Sequence, residues 1–385
     1  MPAFPRMTRA AGLEALSAFL SGPGADYAAS RNTDRGRAAA PTTSALSPFL
    51  RRRLLTEEEV ARAAIRALGE HGAETFVSEV FWRTYFKGHL ETHPETWTRY
   101  RQGRDASRDR LAAEPGLRRT YERAIAGQTG IDGFDDWAAQ LVAENWLHNH
   151  ARMWFASIWI FTLRLPWELG AAFFLRHLLD GDPASNTLSW RWVAGLHTRG
   201  KPYLARRENI RAFTQGRHDP AGLDEGATAL TEEAPPREVP LAPRDAAPEG
   251  RIALLLHLDD LHPESLPLGA ARVVRVGGLI ASAEEAAEPV RAADAEAMAD
   301  ALARASAHFG CLPGPVEDGS AGGDPVGSRR ALGGDPAHGL PPDSARLGRA
   351  GLAAVDPRLF APAPWDSDDS RLTAPRLPLR PLRRI

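Results

Sequence analysis

The chain has 385 residues, 43 % hydrophobic and 25 % charged, which excludes wholesale disorder, collagen and coiled coil and leaves room for one large domain or two smaller ones. Its single cysteine, Cys311, excludes a disulfide framework and any cysteine-based zinc or iron–sulfur cluster, and fits a reducing compartment. A net charge of −2 conceals an uneven chain: residues 1–218 hold 30 Lys and Arg against 23 Asp and Glu, net +7, and the remainder 17 against 26, net −9.

The opening residues lack the long apolar stretch and small-residue cleavage site of a secretory signal. The longest apolar run, 153–163, is too short for a bilayer and meets Arg164. A soluble, cytoplasmic protein without membrane contact is expected. Helical spacing of apolar residues begins at 12–20. Thr56 is placed to cap a helix running to 68, with Glu57, Glu58 and Glu59 complementing its dipole. Further helices are predicted over 73–87, 118–126, 134–144, 149–162, 168–179 and 188–194, with Pro166 and the Asp180-Gly181-Asp182-Pro183 turn as breaks. No alternating strand pattern interrupts them, so residues 10–213 are expected to form an all-helical domain.

Residues 214–250 read as a Pro/Glu/Ala-rich linker. Beyond it, 251–256 and 273–276 have the character of short buried strands and 292–309 that of an amphipathic helix, which makes 251–310 a small, incomplete α/β segment. The remainder, 311–385, is expected to be a disordered tail, since Gly and Pro make up 22 of the 74 residues from 312 onward.

Nine of the ten tryptophans lie between Trp82 and Trp192, denser than core packing needs, which suggests a flat aromatic ligand, base stacking or electron transfer. Four segments carry candidate chemistry. Tyr27 and then Thr43-Ser44-Ala45-Leu46-Ser47 offer small hydroxyls and backbone N–H groups before a helix, an environment that suits a phosphate or merely a cap. Glu79, Trp82 and Arg83 fall within one helical turn, as a functional group or as a surface ion pair. In Trp146-Leu147-His148-Asn149-His150-Ala151-Arg152-Met153, residues Asn149, Arg152 and Met153 share a face. His148 and His150 have neither a nearby cysteine nor a carboxylate at ligand spacing, so no metal is expected. Two acids, Asn186 and the pair Trp190 and Trp192 crowd behind the turn at 180–183, and burying them demands partners.

Three of these segments, 43–47, 146–153 and 180–192, with Gly127-Gln128-Thr129-Gly130, occur in an order and spacing that resembles the FAD-binding domain of the DNA photolyase/cryptochrome family over residues 10–213. The resemblance implies an all-α fold enclosing a U-shaped FAD at the bottom of a cavity that faces DNA. It implies that Tyr27, Thr43, Ser44, Leu46 and Ser47 hold the phosphates and ribityl chain. Arg152 and Asp180 would pair beside the isoalloxazine ring, Asp182 would meet its polar edge, and Arg83 and Asn149 would also contact the cofactor. Asn186 would sit opposite N5, where plant cryptochromes carry an Asp; a neutral amide tolerates the anionic reduced flavin that repair requires.

On the same mapping, Trp82 and Trp192 clamp a flipped pyrimidine dimer, Glu79 bonds its base edge, and Asn149 with Met153 line the pocket. Relatives that repair (6-4) photoproducts carry His at the last two positions, so cyclobutane dimers are the implied substrate. Trp190 and Trp167 match the inner two members of an electron-hopping chain whose outer position reads Ala124, with Tyr121 as the substitute. The departures from the family pattern are the missing N-terminal antenna domain, Phe76 in place of a frequent Trp, and His150 in place of a frequent Arg. The implied protein is a light-driven, FAD-dependent lyase, monomeric, acting on dimers in single-stranded or duplex DNA. The alternatives are a cryptochrome-like blue-light photoreceptor and an inactive flavin-binding relative.

Overall fold

In the computed structural model, the described residues are 6–36, 42–241, 247–282 and 285–318. Most of the expected disordered tail, from 319 onward, lies outside them. The first helix, α1 (Arg9–Leu20), is capped by Thr8 and leads into a single turn, α2 (Tyr27–Ser30). After α3 (Ser47–Arg51) comes α4 (Glu57–Thr92), 36 residues long, with the Thr56 side chain accepting from the Glu59 N–H at its start. The two separate helices expected here meet at Gly69, whose φ of +74° interrupts the helical run.

Three helices differ from expectation. The first, α5 (Glu95–Ala113), has no sequence signal because its apolar residues never form a stripe; it leans on Tyr100, 2 % exposed, and on arginine–carboxylate pairs. The next two, α6 (Pro115–Ile125) and α7 (Phe134–Glu144), fall close to their expected spans. Then α8 (Asn149–Ser157) continues as a π-helical turn, Ile158–Thr162, into Arg164, a residue with φ of +56°. After α9 (Trp167–His177), α10 (Pro183–Val193) starts five residues earlier than expected, because Asp182 caps it by accepting from the Ser185 N–H at 2.8 Å. Short α11 (Arg207–Phe213) completes the helical part.

One core, from Tyr100 to Ile210, packs Trp137, Trp154, Trp159, Trp167 and Trp190 with the phenylalanines of α8 and α9. The segment expected as a linker lies back along these helices: Leu230 N–H donates to Ala194, Val239 N–H to Thr92, and Glu232 takes Arg191 and Arg99.

Residues 251–318 form a parallel sheet in the order β1 (Arg251–His257), β2 (Arg272–Ile280), β3 (Leu312–Asp318), with α12 (Glu288–Phe309) as the crossover between the last two. The unexpected β3 tolerates two prolines because it is an edge strand. This sheet does not stand apart. Its inward residues Leu254, Leu256, Val273 and Val276 and the α12 residues Met298 and Leu302 share a second core with Met7, Phe19, Phe49 and Phe76 of the front helices.

Candidate functional site

The site forms where the two cores meet, around the turn 178–183. Asn145 ends α7 in the left-handed conformation, φ +53°, and its side chain donates to His177 O at 2.8 Å while its own carbonyl receives Leu179 N–H at 3.0 Å. This ties the 146–153 segment to the acidic turn. Arg152 accordingly reaches Asp180 at 3.0 Å, and its Nε donates to Leu147 O at 3.0 Å. Asn186, 9 % exposed, donates Nδ2 to Ala171 O at 2.9 Å, which orients the amide and leaves Oδ1 as an acceptor.

Around these, two arginines after the Thr43–Ser47 segment, Arg51 and Arg52, act as clamps that sequence reasoning did not single out, together with Arg83, which it did. Arg51 Nε donates to Gly181 O at 3.2 Å, Arg52 to Leu179 O at 2.7 Å, and Arg83 Nη2 to Arg51 O at 2.9 Å. Arg83 also pairs with Glu57 at 2.5 Å, so it and Glu79 serve different partners; Glu79 takes Arg31 at 2.5 Å. Lys87 lies 3.0 Å from Asp182 and 3.0 Å from Asp259, a residue of the loop after β1. The run of arginines, and one of only two lysines in the chain, were the available signals.

Burial raises the Glu79 carboxyl above the usual range, with Arg31 opposing it. For Asp182 burial acts upward too, but Lys87, Arg83 and Arg51 outweigh it and bring the carboxyl down to about 2. Glu79 and Asp259 are enclosed by protein, yet their side chains keep 27 % and 41 % of their surface accessible.

The remaining expected residues take these positions. Thr43 and Ser44 are half-buried and Leu46 fully buried, while Ser47 is exposed at the first position of five-residue α3. A helix so short offers little dipole; Ala45 before it is left-handed, φ +52°, and the Leu46 N–H donates to the Ser44 hydroxyl at 3.4 Å. Tyr27 packs edge-on against Phe19 and Phe76 at 5.7 and 5.3 Å. Trp82 meets Tyr85 at 5.3 Å and Trp192 stacks on Tyr203 at 5.5 Å. Met153 is half-buried and Asn149 exposed. His148 and His150 are held by Thr42 at 3.2 Å, Asn32 O at 2.9 Å and the Tyr203 hydroxyl at 3.2 Å. Trp190, 2 % exposed, touches Trp159 at 6.2 Å; Trp167 rests on Tyr100 at 5.7 Å, and Tyr121 meets Trp159 at 5.9 Å. Ala124, at the outer position of the expected chain, is fully buried.

Two buried carboxylate oxygens at the centre lack a hydrogen-bond donor: Asp180 Oδ1, and Asp182 Oδ2, whose contact with Lys87 is an ion pair without hydrogen-bond geometry. Buried acceptors call for a donor, and the N–H on the pyrimidine edge of an isoalloxazine supplies one. The residues present therefore fit a flavin.

Residues 76–223 match the model of the FAD-binding domain of DNA photolyase. The chain is 35 % identical over 202 residues to the deoxyribodipyrimidine photo-lyase of Streptomyces griseus, covering 52 % of this chain and 42 % of that one. It is 30 % identical over 196 residues to cryptochrome-1 of Arabidopsis thaliana, covering 48 % and 27 %. Among solved structures, a class III photolyase from Agrobacterium tumefaciens aligns with a TM-score of 0.46 at 26 % identity, over 56 % of this chain and 46 % of that one. The chain thus spans less than half the length of these relatives. Residues 76–223 are thus similar to the FAD-binding domain of DNA photolyases, and FAD is the cofactor of that domain. Among the described residues, no helix is long and apolar enough to cross a membrane.

Proposed function

We propose that the protein is a light-driven lyase that uses bound FAD to split cyclobutane pyrimidine dimers in DNA. The observation that carries this reading is Asn186: a buried neutral amide, pinned through its Nδ2 to Ala171 O, with its backbone N–H donating to the O of capping Asp182 at 2.9 Å. Reduced flavin, when bound and excited, supplies an electron to the dimer and recovers it after the ring opens, so the reaction is redox-neutral. The chain's own contribution is position and electrostatics. Asp180 and Asp182 accept from the flavin edge, Arg152 offsets the negative charge that reduction adds, and Asn186 presents an amide where an acid would deliver a proton.

For the substrate, Glu79 and Trp82 on α4, Trp192 on α10, and Asn149 with Met153 on α8 are the proposed contacts. Flipping a lesion out of the stack costs a few kcal/mol, least for damaged bases, and each base stacked on an aromatic ring regains roughly 1–3 kcal/mol. Glu79, paired with Arg31, offers carboxylate oxygens that can accept from a base N–H. The similarity to cryptochrome-1 favours a second reading, a photoreceptor that binds FAD without repair.

The test is illumination of the reduced, FAD-loaded protein with dimer-containing single-stranded and duplex oligonucleotides. Light-dependent loss of the lesion supports the lyase. Efficient photoreduction of the flavin with no loss of lesion supports the photoreceptor.

A further inference from the structure

The site contains an acid from a part of the chain that lies beyond the matched 76–223 region. Asp259, on the loop after β1, accepts from Lys87 Nζ at 3.0 Å and from Arg51 Nη1 at 3.2 Å. Lys87 in turn lies 3.0 Å from Asp182, so one ammonium is shared by two carboxylates. The loop is not a loose flap. Arg51 Nη1 donates to Leu258 O at 3.0 Å, Leu261 N–H to Arg52 O at 2.9 Å, and Arg53 Nη1 to Asp260 at 3.0 Å. Its anchors are thus the arginines that also clamp the 178–183 turn. The Asp259 side chain keeps 41 % of its surface accessible, whereas Asp182 is 3 % exposed.

We propose that Asp259 is a positioning residue of the flavin site: it shares Lys87 with Asp182 and its charge sets how strongly the site stabilises reduced flavin. This rests on the flavin reading above. With Asp259 present, Arg51, Lys87, Asp182 and Asp259 sum to zero charge; without it, they sum to +1 and Lys87 turns wholly to Asp182 and the flavin. Arg83 does not alter the balance, since Glu57 neutralises it. Reduction to the anionic flavin adds a negative charge, which a cluster of net +1 stabilises and a neutral one does not. The α/β unit therefore keeps the bound flavin a stronger electron donor than the helical part alone would make it.

The experiment uses the full chain loaded with FAD, and reads the reduced-to-oxidised ratio of the bound flavin against a reference dye at fixed poise. Asp259→Asn is expected to raise that ratio several-fold, since it removes one negative charge from the cluster around Lys87. Asp259→Glu restores the wild-type ratio. Lys87→Met moves it the opposite way, and carries the test if Asp259→Asn does not fold. Asp260→Asn, which loosens the same loop through Arg53, leaves the ratio unchanged. Equal ratios in wild type, Asp259→Asn and Lys87→Met overturn the proposal; so does an Asp260→Asn shift as large as that of Asp259→Asn, because the loop rather than the charge is then responsible. A wild-type chain that takes up no FAD instead refutes the underlying flavin reading, before any variant is compared.

Discussion

Arg52 and Asp294, 242 residues apart, form an ion pair buried on both sides: Arg52 is 1 % exposed and Asp294 3 %, with Nη2 2.6 Å from Oδ1. The second carboxylate oxygen accepts from the Ser282 hydroxyl at 2.6 Å, and the guanidinium also donates to Pro48 O and Leu179 O. The pair fastens α12 to α3 and to the turn that carries the acids of the site. Asp294→Ala leaves the guanidinium buried without its counter-charge, a loss of about 3–5 kcal/mol. Urea denaturation of the variant is expected to show a lower midpoint for both cores together. An unchanged midpoint would mean that the C-terminal unit contributes nothing to the stability of the helical part.

Acid sensitivity follows from two kinds of group with different windows. Burial pushes His150 down to about 4, and its neutral ring donates Nδ1–H to Asn32 O and accepts from the Tyr203 hydroxyl at Nε2. The unfolded chain protonates this ring near 6.5, so the unfolded state binds the extra proton first, and stability falls as pH drops from 6.5 toward 4. The loss is on the order of 2–3 kcal/mol. Asp182 acts lower. Its carboxyl, held at about 2 in the folded chain against 3.8 ordinarily, contributes stability that is present above pH 4 and lost between 4 and 2, about 2 kcal/mol. Melting curves of His150→Gln should lessen the fall in the first window by that amount and leave the second, the rest of the first belonging to His148, His177 and His197, which burial also pushes down to about 4. A variant whose upper window matches wild type would assign that loss to other groups.

Much of this architecture is legible in the residues. The spacing of apolar positions and the Thr56 cap mark the helices, and the order of the 43–47, 127–130, 146–153 and 180–192 segments marks the resemblance to the FAD-binding domain of photolyases. What escapes is what depends on long-range pairing. Helix α5 lacks an apolar stripe and is held by tertiary contacts around Tyr100; β3 reads as Pro-rich coil until β2 offers it an edge. In the site, Arg51, Arg52, Arg53 and Lys87 carry no local signature, because their partners Asp259, Asp260 and Asp294 lie more than 170 residues away along the chain.

Gly170 allows the closest aromatic approach in the domain. A Cβ there would come within 2.2 Å of Trp190 Cη2 and 2.9 Å of Trp159 Nε1. Gly170→Ala is expected to cost about 1–3 kcal/mol through displaced indoles. It should also slow flavin photoreduction, since Trp190 is the proposed ring nearest the cofactor. Melting and light-driven reduction measured on one preparation separate the two effects.

The ring contacts set out a continuous route of Tyr121, Trp159 and Trp190, and a separate pair of contacts from Trp167 through Tyr100 to Trp97 at 5.1 Å. Under the proposed role of Tyr121, Tyr121→Phe and Trp159→Phe each slow photoreduction several-fold. If instead only Trp97→Phe does so, the outer electron donor lies on the second route.

Glu79→Gln removes a buried acid paired with Arg31 but keeps its shape. Repair of a dimer-containing oligonucleotide should drop several-fold per absorbed photon while the flavin spectrum stays as in wild type. A loss of flavin together with repair would assign Glu79 to holding the cofactor site rather than the lesion.

The most direct measurement is the flavin content of the purified full chain. After incubation with FAD and removal of excess, the absorption bands of oxidised flavin should remain with the protein at one equivalent per chain, and Asp180→Ala should shed them. A chain that stays colourless through repeated reconstitution contradicts the account at its root.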